Sequence, residues 1–207
     1  MTPKYREILI ASNNQGKISE ITQLLGKIGV RAISPLSFKL EEPDENGASF
    51  EQNSLIKAQY YASQTQIPSL ADDSGLCIKA LDDQPGIHSA RFAINPKTQK
   101  KDFNFAFQKI YQDLEKKGLK DFSQAQAYFI CDLCFYDPQT KFYKNFCGII
   151  SGVISPKPLG ANGFGYDPIF IKDGLDKTFG EIPLIQKEQI SHRALAFEKF
   201  ISWFIAQ

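Results

Sequence analysis

Glu7-Ile8-Leu9-Ile10-Ala11-Ser12-Asn13-Asn14-Gln15-Gly16-Lys17 begins apolar, turns polar, and leads into Ile18, Ile21, Leu24, Leu25 and Ile28 at helical spacing. This predicts a buried strand, a loop and an amphipathic helix, the repeating unit of α/β folds. A loop at such a junction aims backbone N–H groups and a helix N-terminus at whatever is bound there, which favours anions, and Lys17 adds a point charge. With one glycine, and with Ile18 where a Ser or Thr would hold magnesium, the stretch is not a Walker A loop. Read alone, it fits an ordinary polar connection with an Asn capping the helix equally well.

Leu70-Ala71-Asp72-Asp73-Ser74-Gly75-Leu76 sets two adjacent carboxylates between apolar residues, and Ser74-Gly75 predicts a turn before a further strand at Cys77 to Leu81. Acidic oxygens at a strand end lie where ligands bind in α/β sheets. They suit magnesium, which in phosphate chemistry sits on one or two carboxylates plus the substrate's phosphates. A carboxylate beside the ion can also orient or deprotonate a water. A second carboxylate is available from the acidic loop Lys39 to Gly47, at Glu41, Glu42, Asp44 or Glu45. A solvated acidic turn is the plain alternative.

Lys+Arg 24 against Asp+Glu 23 leaves a net charge of +1, so no global field recruits nucleic acid or an anionic membrane, and phosphate binding has to be local. The apolar run after Met1-Thr2-Pro3 stops at Ala11, too short for a signal segment, and charges interrupt every later apolar stretch. A cytoplasmic protein is expected, with Cys77, Cys131, Cys134 and Cys147 as reduced thiols. Cys131-x-x-Cys134 falls in a predicted strand, where odd spacing sends side chains to opposite faces, so the pair cannot share a metal.

A helix is predicted from about Ser49, with Leu55, Ala58, Tyr61 and Ala62 on one face, ending before Pro68. A second, over Lys101 to Lys117, sets Phe103, Phe107, Ile110 and Leu114 toward the core. Ala125 to Tyr136 and Lys141 to Ile154 read as a hairpin. Pro85 to Phe92 is a turn carrying Arg91, a partner for a phosphate or an acidic neighbour. Pro158 to Phe170 is a glycine-rich loop in which an aromatic either stacks on a base or pins the loop to the core. A last helix starts at Ser191 and puts His192 and Arg193 in its first turn, where the helix dipole disfavours cations and an anion or an electron-rich ligand edge would compensate.

Taken together, Ser12-x-Asn14-x-x-Lys17, Ala71-Asp72-Asp73-Ser74-Gly75-Leu76, Pro85-Gly86-x-x-Ser89-Ala90-Arg91, Gly163-Phe164-Gly165-Tyr166-Asp167-Pro168 and Ser191-His192-Arg193 resemble the inosine triphosphate pyrophosphatase family, in order and over nearly the whole chain. Asn13 stands where that family more often has Gly. The resemblance implies one domain over residues 1–207: an elongated α/β fold, a long mixed sheet with flanking helices, and two lobes around a central cleft. It also implies a homodimer. The implied activity is magnesium-dependent hydrolysis of ITP, dITP and XTP to the monophosphate and pyrophosphate. By position, Ser12, Asn14 and Lys17 would cradle phosphates, Asn13, Gln15 and Gly16 would also bind substrate, Glu45 and Asp73 would hold the metal, and Asp73 would be the general base. Ser74 would touch substrate, Phe164 would stack on the purine within Phe164-Gly165-Tyr166-Asp167, Asp167 and Lys187 would line the nucleotide site, and His192 and Arg193 would recognise the base. The rival readings are a Maf-like nucleotide pyrophosphatase and a nucleotide-binding module without catalysis.

Overall fold

The computed structural model describes residues 4–207, so Met1-Thr2-Pro3 lie outside the described residues. Along the chain run β1 (Glu7–Ala11), α1 (Gln15–Lys27), β2 (Arg31–Ile33), α2 (Phe50–Thr65), β3 (Ser69–Ile78), β4 (Gln84–Pro85), α3 (Ser89–Phe92), β5 (Ile94–Asn95), β6 (Lys100–Lys101) and α4 (Phe103–Lys116). After them come β7 (Gln126–Asp137), β8 (Phe142–Ile154), β9 (Phe170–Lys172), α5 (Leu184–Ile190) and α6 (His192–Phe204). The main sheet has the order β2-β1-β3-β7-β8-β9, with β4 also paired to β3. β1 is parallel to β2 and β3, with Leu9 opposite Ser69 and Ala11 opposite Ala71, whereas β9 runs antiparallel to β8. The α/β class with a mixed sheet and flanking helices is therefore as expected.

The chain forms two compact units. One comprises the chain up to Asp73, Cys131–Gly148 and Arg193–Gln207; the other comprises Ser74–Ile130 and Ile149–His192. Three strands, β3, β7 and β8, each pass from one unit into the other.

In the first unit, alternation along β1 buries both faces. Ile8 and Ile10 pack with Ile21 and Leu25 of α1, with Leu70, and with Phe197 and Phe200 of α6. Leu9 and Ala11 pack with Ala58 and Tyr61 of α2 and with Ala71. A strand covered on both faces reads as a continuous apolar run, which is what Ile8 to Ala11 shows. Each such side chain contributes about 1.5–3 kcal/mol on burial. In the second unit, Phe107, Ile110 and Leu114 of α4 pack on Leu76, Ile78, Phe129, Ile154 and Phe170.

The turn expected at Ser74-Gly75 is absent, because β3 runs unbroken from Ser69 to Ile78. The strand expected at Cys77 to Leu81 is the end of β3 followed by a single 3-10 turn over Lys79–Leu81. The apolar residues decide this: Leu70, Leu76 and Ile78 are an even number of positions apart, so one extended strand buries them all. The short helix α5 had no sequence signal of its own.

Cys131 packs with Leu133 and Phe197, whereas Cys134 packs with Leu9 and Tyr61, on different clusters as the strand geometry requires. All four cysteines are free thiols. Burial pushes Cys77 up to about 11 and also raises Cys131, Cys134 and Cys147. Thiolate being the reactive form, iodoacetamide at neutral pH is expected to spare Cys77, Cys131 and Cys134 in the native protein and to label at most Cys147. Mass spectrometry of the alkylated protein checks this, and rapid labelling of any buried thiol would contradict it.

Candidate active site

Adjacent residues of a strand face opposite ways, so Asp72 and Asp73 do not act as a pair. Asp72 points to the α1 and α6 side, Asp73 to the α2 side, and each meets a different set of cations. The reading of the two carboxylates as one acidic pair is corrected by that geometry, which puts them on opposite faces of β3.

On the Asp72 side, Asn14 caps α1, its Oδ1 accepting from the N–H groups of Gly16 at 3.0 Å and Lys17 at 3.3 Å. Asn14 N–H in turn donates to Ser12 Oγ at 3.2 Å, and Asn13 N–H donates to Glu42 Oε1 at 3.1 Å. Gln15 opens the helix and Gly16 is partly exposed, so the loop Ser12 to Lys17 forms the strand-to-helix junction that was expected. Lys17 Nζ, in the first turn of α1, is ion-paired with Asp72 Oδ1 and also donates to the Asp72 carbonyl at 3.3 Å. Asp72 Oδ2 accepts from Arg193 Nε at 2.6 Å and from Cys131 Sγ at 3.1 Å, and Arg193 Nη1 pairs with Glu20.

Arg193 is 2% exposed, and its positive charge at the start of α6 is met by Asp72 and Glu20. Burial works against the Asp72 carboxylate, but the Arg193 guanidinium and the Lys17 ammonium outweigh it and hold the group well below the usual range. Glu20 was not foreseen, although its place one turn beyond Lys17 on α1 put it on the same face.

On the Asp73 side, Lys57 reaches from α2 to within 3.0 Å of Asp73 Oδ1 and 2.6 Å of Glu45 Oε1. The other carboxylate oxygen, Asp73 Oδ2, is buried and has no hydrogen-bond partner among the described residues. Burial raises Asp73, Lys57 and Lys17 act in the opposite direction, and the net shift is upward. Glu45 is the member of the acidic loop that meets Asp73's set: Glu41 and Asp44 are exposed, and Glu42 serves the Asn13 backbone. The loop is anchored to α2 where Gly47 and Ala48 donate to Asn53 at 2.9 Å and Gln52 at 2.8 Å. Lys57 was also missed, and its signal was a polar Asn53 and Lys57 at i, i+4 beside the apolar stripe of α2.

This set fits magnesium. Two carboxylate oxygens converge on one cationic nitrogen, a third oxygen beside them is unsatisfied, and oxygen donors are what a hard cation takes. Among the described residues no three His, Cys, Asp or Glu side chains are grouped to hold a metal. Two carboxylates, completed by substrate oxygens and water, is the number such an ion uses in phosphate chemistry.

The second unit holds its own set. Asp167 Oδ2 accepts from the Phe164 N–H at 2.7 Å and from the buried Lys187 Nζ at 2.6 Å, and the same Nζ lies 4.5 Å from the centre of the Phe164 ring. Phe164 and Gly165 are partly exposed, whereas Tyr166 is buried against Phe103 and donates to the Ser89 carbonyl at 2.7 Å. Tyr166 therefore pins the loop to the core, as one of the two readings of its aromatics expects. His192 is buried with its ring stacked 4.7 Å from Phe129. Ser74 is half-buried, and Arg91 is exposed on α3. In that motif Ser89 is the tie, its Oγ accepting from Leu76 N–H at 3.0 Å and donating to the Gly86 carbonyl at 2.6 Å.

Gly163 has φ +72°, and a Cβ there would meet Asp167 Oδ2 at 2.0 Å. Gly163→Ala is therefore expected to displace Asp167 from both Phe164 and Lys187, costing about 1–3 kcal/mol from backbone strain and the loosened pair. Thermal denaturation measures it. A change within a few tenths would mean that Asp167 is not seated under the loop.

The Ham1 family model matches residues 8–203. This chain belongs to the Ham1 family. Among its relatives, "dITP/XTP pyrophosphatase" of Zymomonas mobilis is 42% identical over 94% of this chain and 90% of that protein, and the protein of the same name in Dictyoglomus thermophilum is 41% identical over 94% and 92%. A solved HAM1 protein from Coxiella burnetii is 34% identical, has a TM-score of 0.86, and is covered over 99% of its length by 97% of this chain. The Staphylococcus aureus Ham1 protein is also 34% identical, with a TM-score of 0.82 and 97% and 98% coverage. The family seen in the five sequence motifs is thereby established, and with it a mixed α/β fold.

Proposed function

We propose that the chain hydrolyses deaminated purine nucleoside triphosphates, ITP, dITP and XTP, to the nucleoside monophosphate and pyrophosphate with magnesium. The relatives named dITP/XTP pyrophosphatase support the substrate class. The observation that carries the chemistry is Asp73: a buried carboxylate with one oxygen held by Lys57 and the other unpartnered, able to accept a proton from a water. Burial raises its affinity for protons, with Lys57 and Lys17 offsetting part of that rise.

In this reading Asp73 Oδ2 orients and deprotonates the water that attacks the α-phosphorus. The bond from that phosphorus to the bridging oxygen breaks, and pyrophosphate leaves. Lys17, in the first turn of α1, binds phosphate oxygens, and Asp72 holds the ammonium in place. Glu45 and Asp73 would hold magnesium, which when bound supplies charge neutralisation on the phosphates. Phe164 offers its ring to the purine, and the Asp167–Lys187 pair fixes the loop that carries it.

Pyrophosphate release from ITP, dITP, XTP, ATP and GTP, with and without magnesium, tests this. Release from the first three alone, and only with the metal, is the expected outcome. Preference for ATP or GTP, or for pyrimidine substrates, would favour a Maf-like pyrophosphatase, and tight binding without release would favour a sensor. A cytoplasmic homodimer is the setting we propose. Sedimentation of the purified chain checks the dimer. Among the described residues no helix is long and apolar enough to cross a membrane.

A further inference from the structure

Lys57 is 6% exposed, and a buried ammonium is costly unless it is paired. Its partners are the two carboxylates that the preceding reading gives to magnesium, at 2.6 Å from Glu45 Oε1 and 3.0 Å from Asp73 Oδ1. Beside it lies the unpartnered Asp73 Oδ2. We propose that Lys57 is a resident cation standing in the magnesium position of the nucleotide-free protein, displaced when a divalent ion binds. The inference rests on the proposed function only for the identity of those two carboxylates.

A magnesium ion must bring its oxygen ligands to about 2.0–2.1 Å. An ammonium hydrogen-bonded to the same two oxygens occupies that place and repels the ion. Metal and ammonium therefore compete, and metal affinity is reduced by the fraction of molecules in which the ammonium has left. Substrate phosphates offer the displaced ammonium new anionic oxygens. Nucleotide and metal then promote each other's binding, and free metal alone occupies the site poorly. A lysine that merely braced the Glu45 loop would make the opposite prediction, since removing it would scatter the carboxylates and weaken the metal site.

The test is titration of the nucleotide-free protein with Mn²⁺, following unbound ion by electron paramagnetic resonance, in wild type, Lys57→Met and Lys57→Arg. Lys57→Met is expected to bind Mn²⁺ about tenfold or more tightly than wild type, because the competing charge is gone. Lys57→Arg, which keeps the charge, should stay near wild type. Equal or weaker binding by Lys57→Met overturns the proposal. Should that variant fail to fold, wild type labelled with ¹³Cε-lysine decides. The Lys57 signal, identified by its loss in Lys57→Arg, should move as saturating Mg²⁺ is added, and a signal that stays in place overturns the proposal. Neither measurement reads turnover, so absence of pyrophosphatase activity and failure of the cation exchange are separable results.

Discussion

Asp73→Asn is expected to lower kcat for ITP by about 10²–10⁴-fold while the melting temperature holds or rises. The two halves of that result have one cause. The carboxylate sits at 5% exposure, burial raises its affinity for a proton, and Lys57 and Lys17 offset only part of that rise. A carboxyl whose folded-state pKa lies above its unfolded value stabilises the fold below the unfolded pKa, and that contribution is lost as pH rises through the folded value. At neutral pH the wild-type charge therefore costs stability. Asparagine removes the charge, keeps the shape, and retains an oxygen to accept from Lys57. What it cannot do is take a proton from water or hold a cation as a carboxylate does. Kinetics and thermal denaturation on the same preparation check both halves, and near-normal kcat in a folded variant would remove Asp73 from the chemistry.

The fold was legible where side-chain periodicity was strong. The run Ile8 to Ala11, the hairpin around Pro138 and the helix over Phe103, Phe107, Ile110 and Leu114 all fall where their patterns put them. It failed at Asp72 to Gly75, where local turn chemistry was read ahead of the longer alternation from Leu70 to Ile78 that one strand satisfies. The same alternation argument that separated Cys131 from Cys134 also separates Asp72 from Asp73. The site was legible as a set of motifs but not as ion pairs. Which cation meets which carboxylate depends on α1, α2 and α6 packing on β3, and the contacts span 16 residues for Lys57 with Asp73 and 121 for Arg193 with Asp72. No window of sequence carries that.

Arg193→Met is expected to destabilise the protein by about 3–5 kcal/mol, because it leaves Asp72 and Glu20 buried without the guanidinium they share. For a chain of this size that is a fall of about 10 °C in melting temperature. The acid limb should move as well. Asp72 lies well below its ordinary pKa in the fold because Arg193 and Lys17 outweigh its burial, so its ionised form stabilises the protein above the unfolded pKa, and that contribution is lost as pH falls through the depressed folded value. Without Arg193 the depression shrinks, and acid unfolding should begin at higher pH. Base recognition, the role the family resemblance implies for Arg193, makes a different forecast: little loss of stability, and erosion of the preference for ITP over ATP, since adenine lacks the 6-oxo acceptor. A guanidinium with Nε on Asp72 and Nη1 on Glu20 favours the first outcome, with the ratio of kcat/KM for ITP and ATP unchanged. Lys17 is the sensitive reporter, because Asp72 freed from Arg193 holds the ammonium more tightly and withdraws it from phosphate. KM for every triphosphate should therefore rise together in Arg193→Met, and a rise confined to ITP would return the residue to the base.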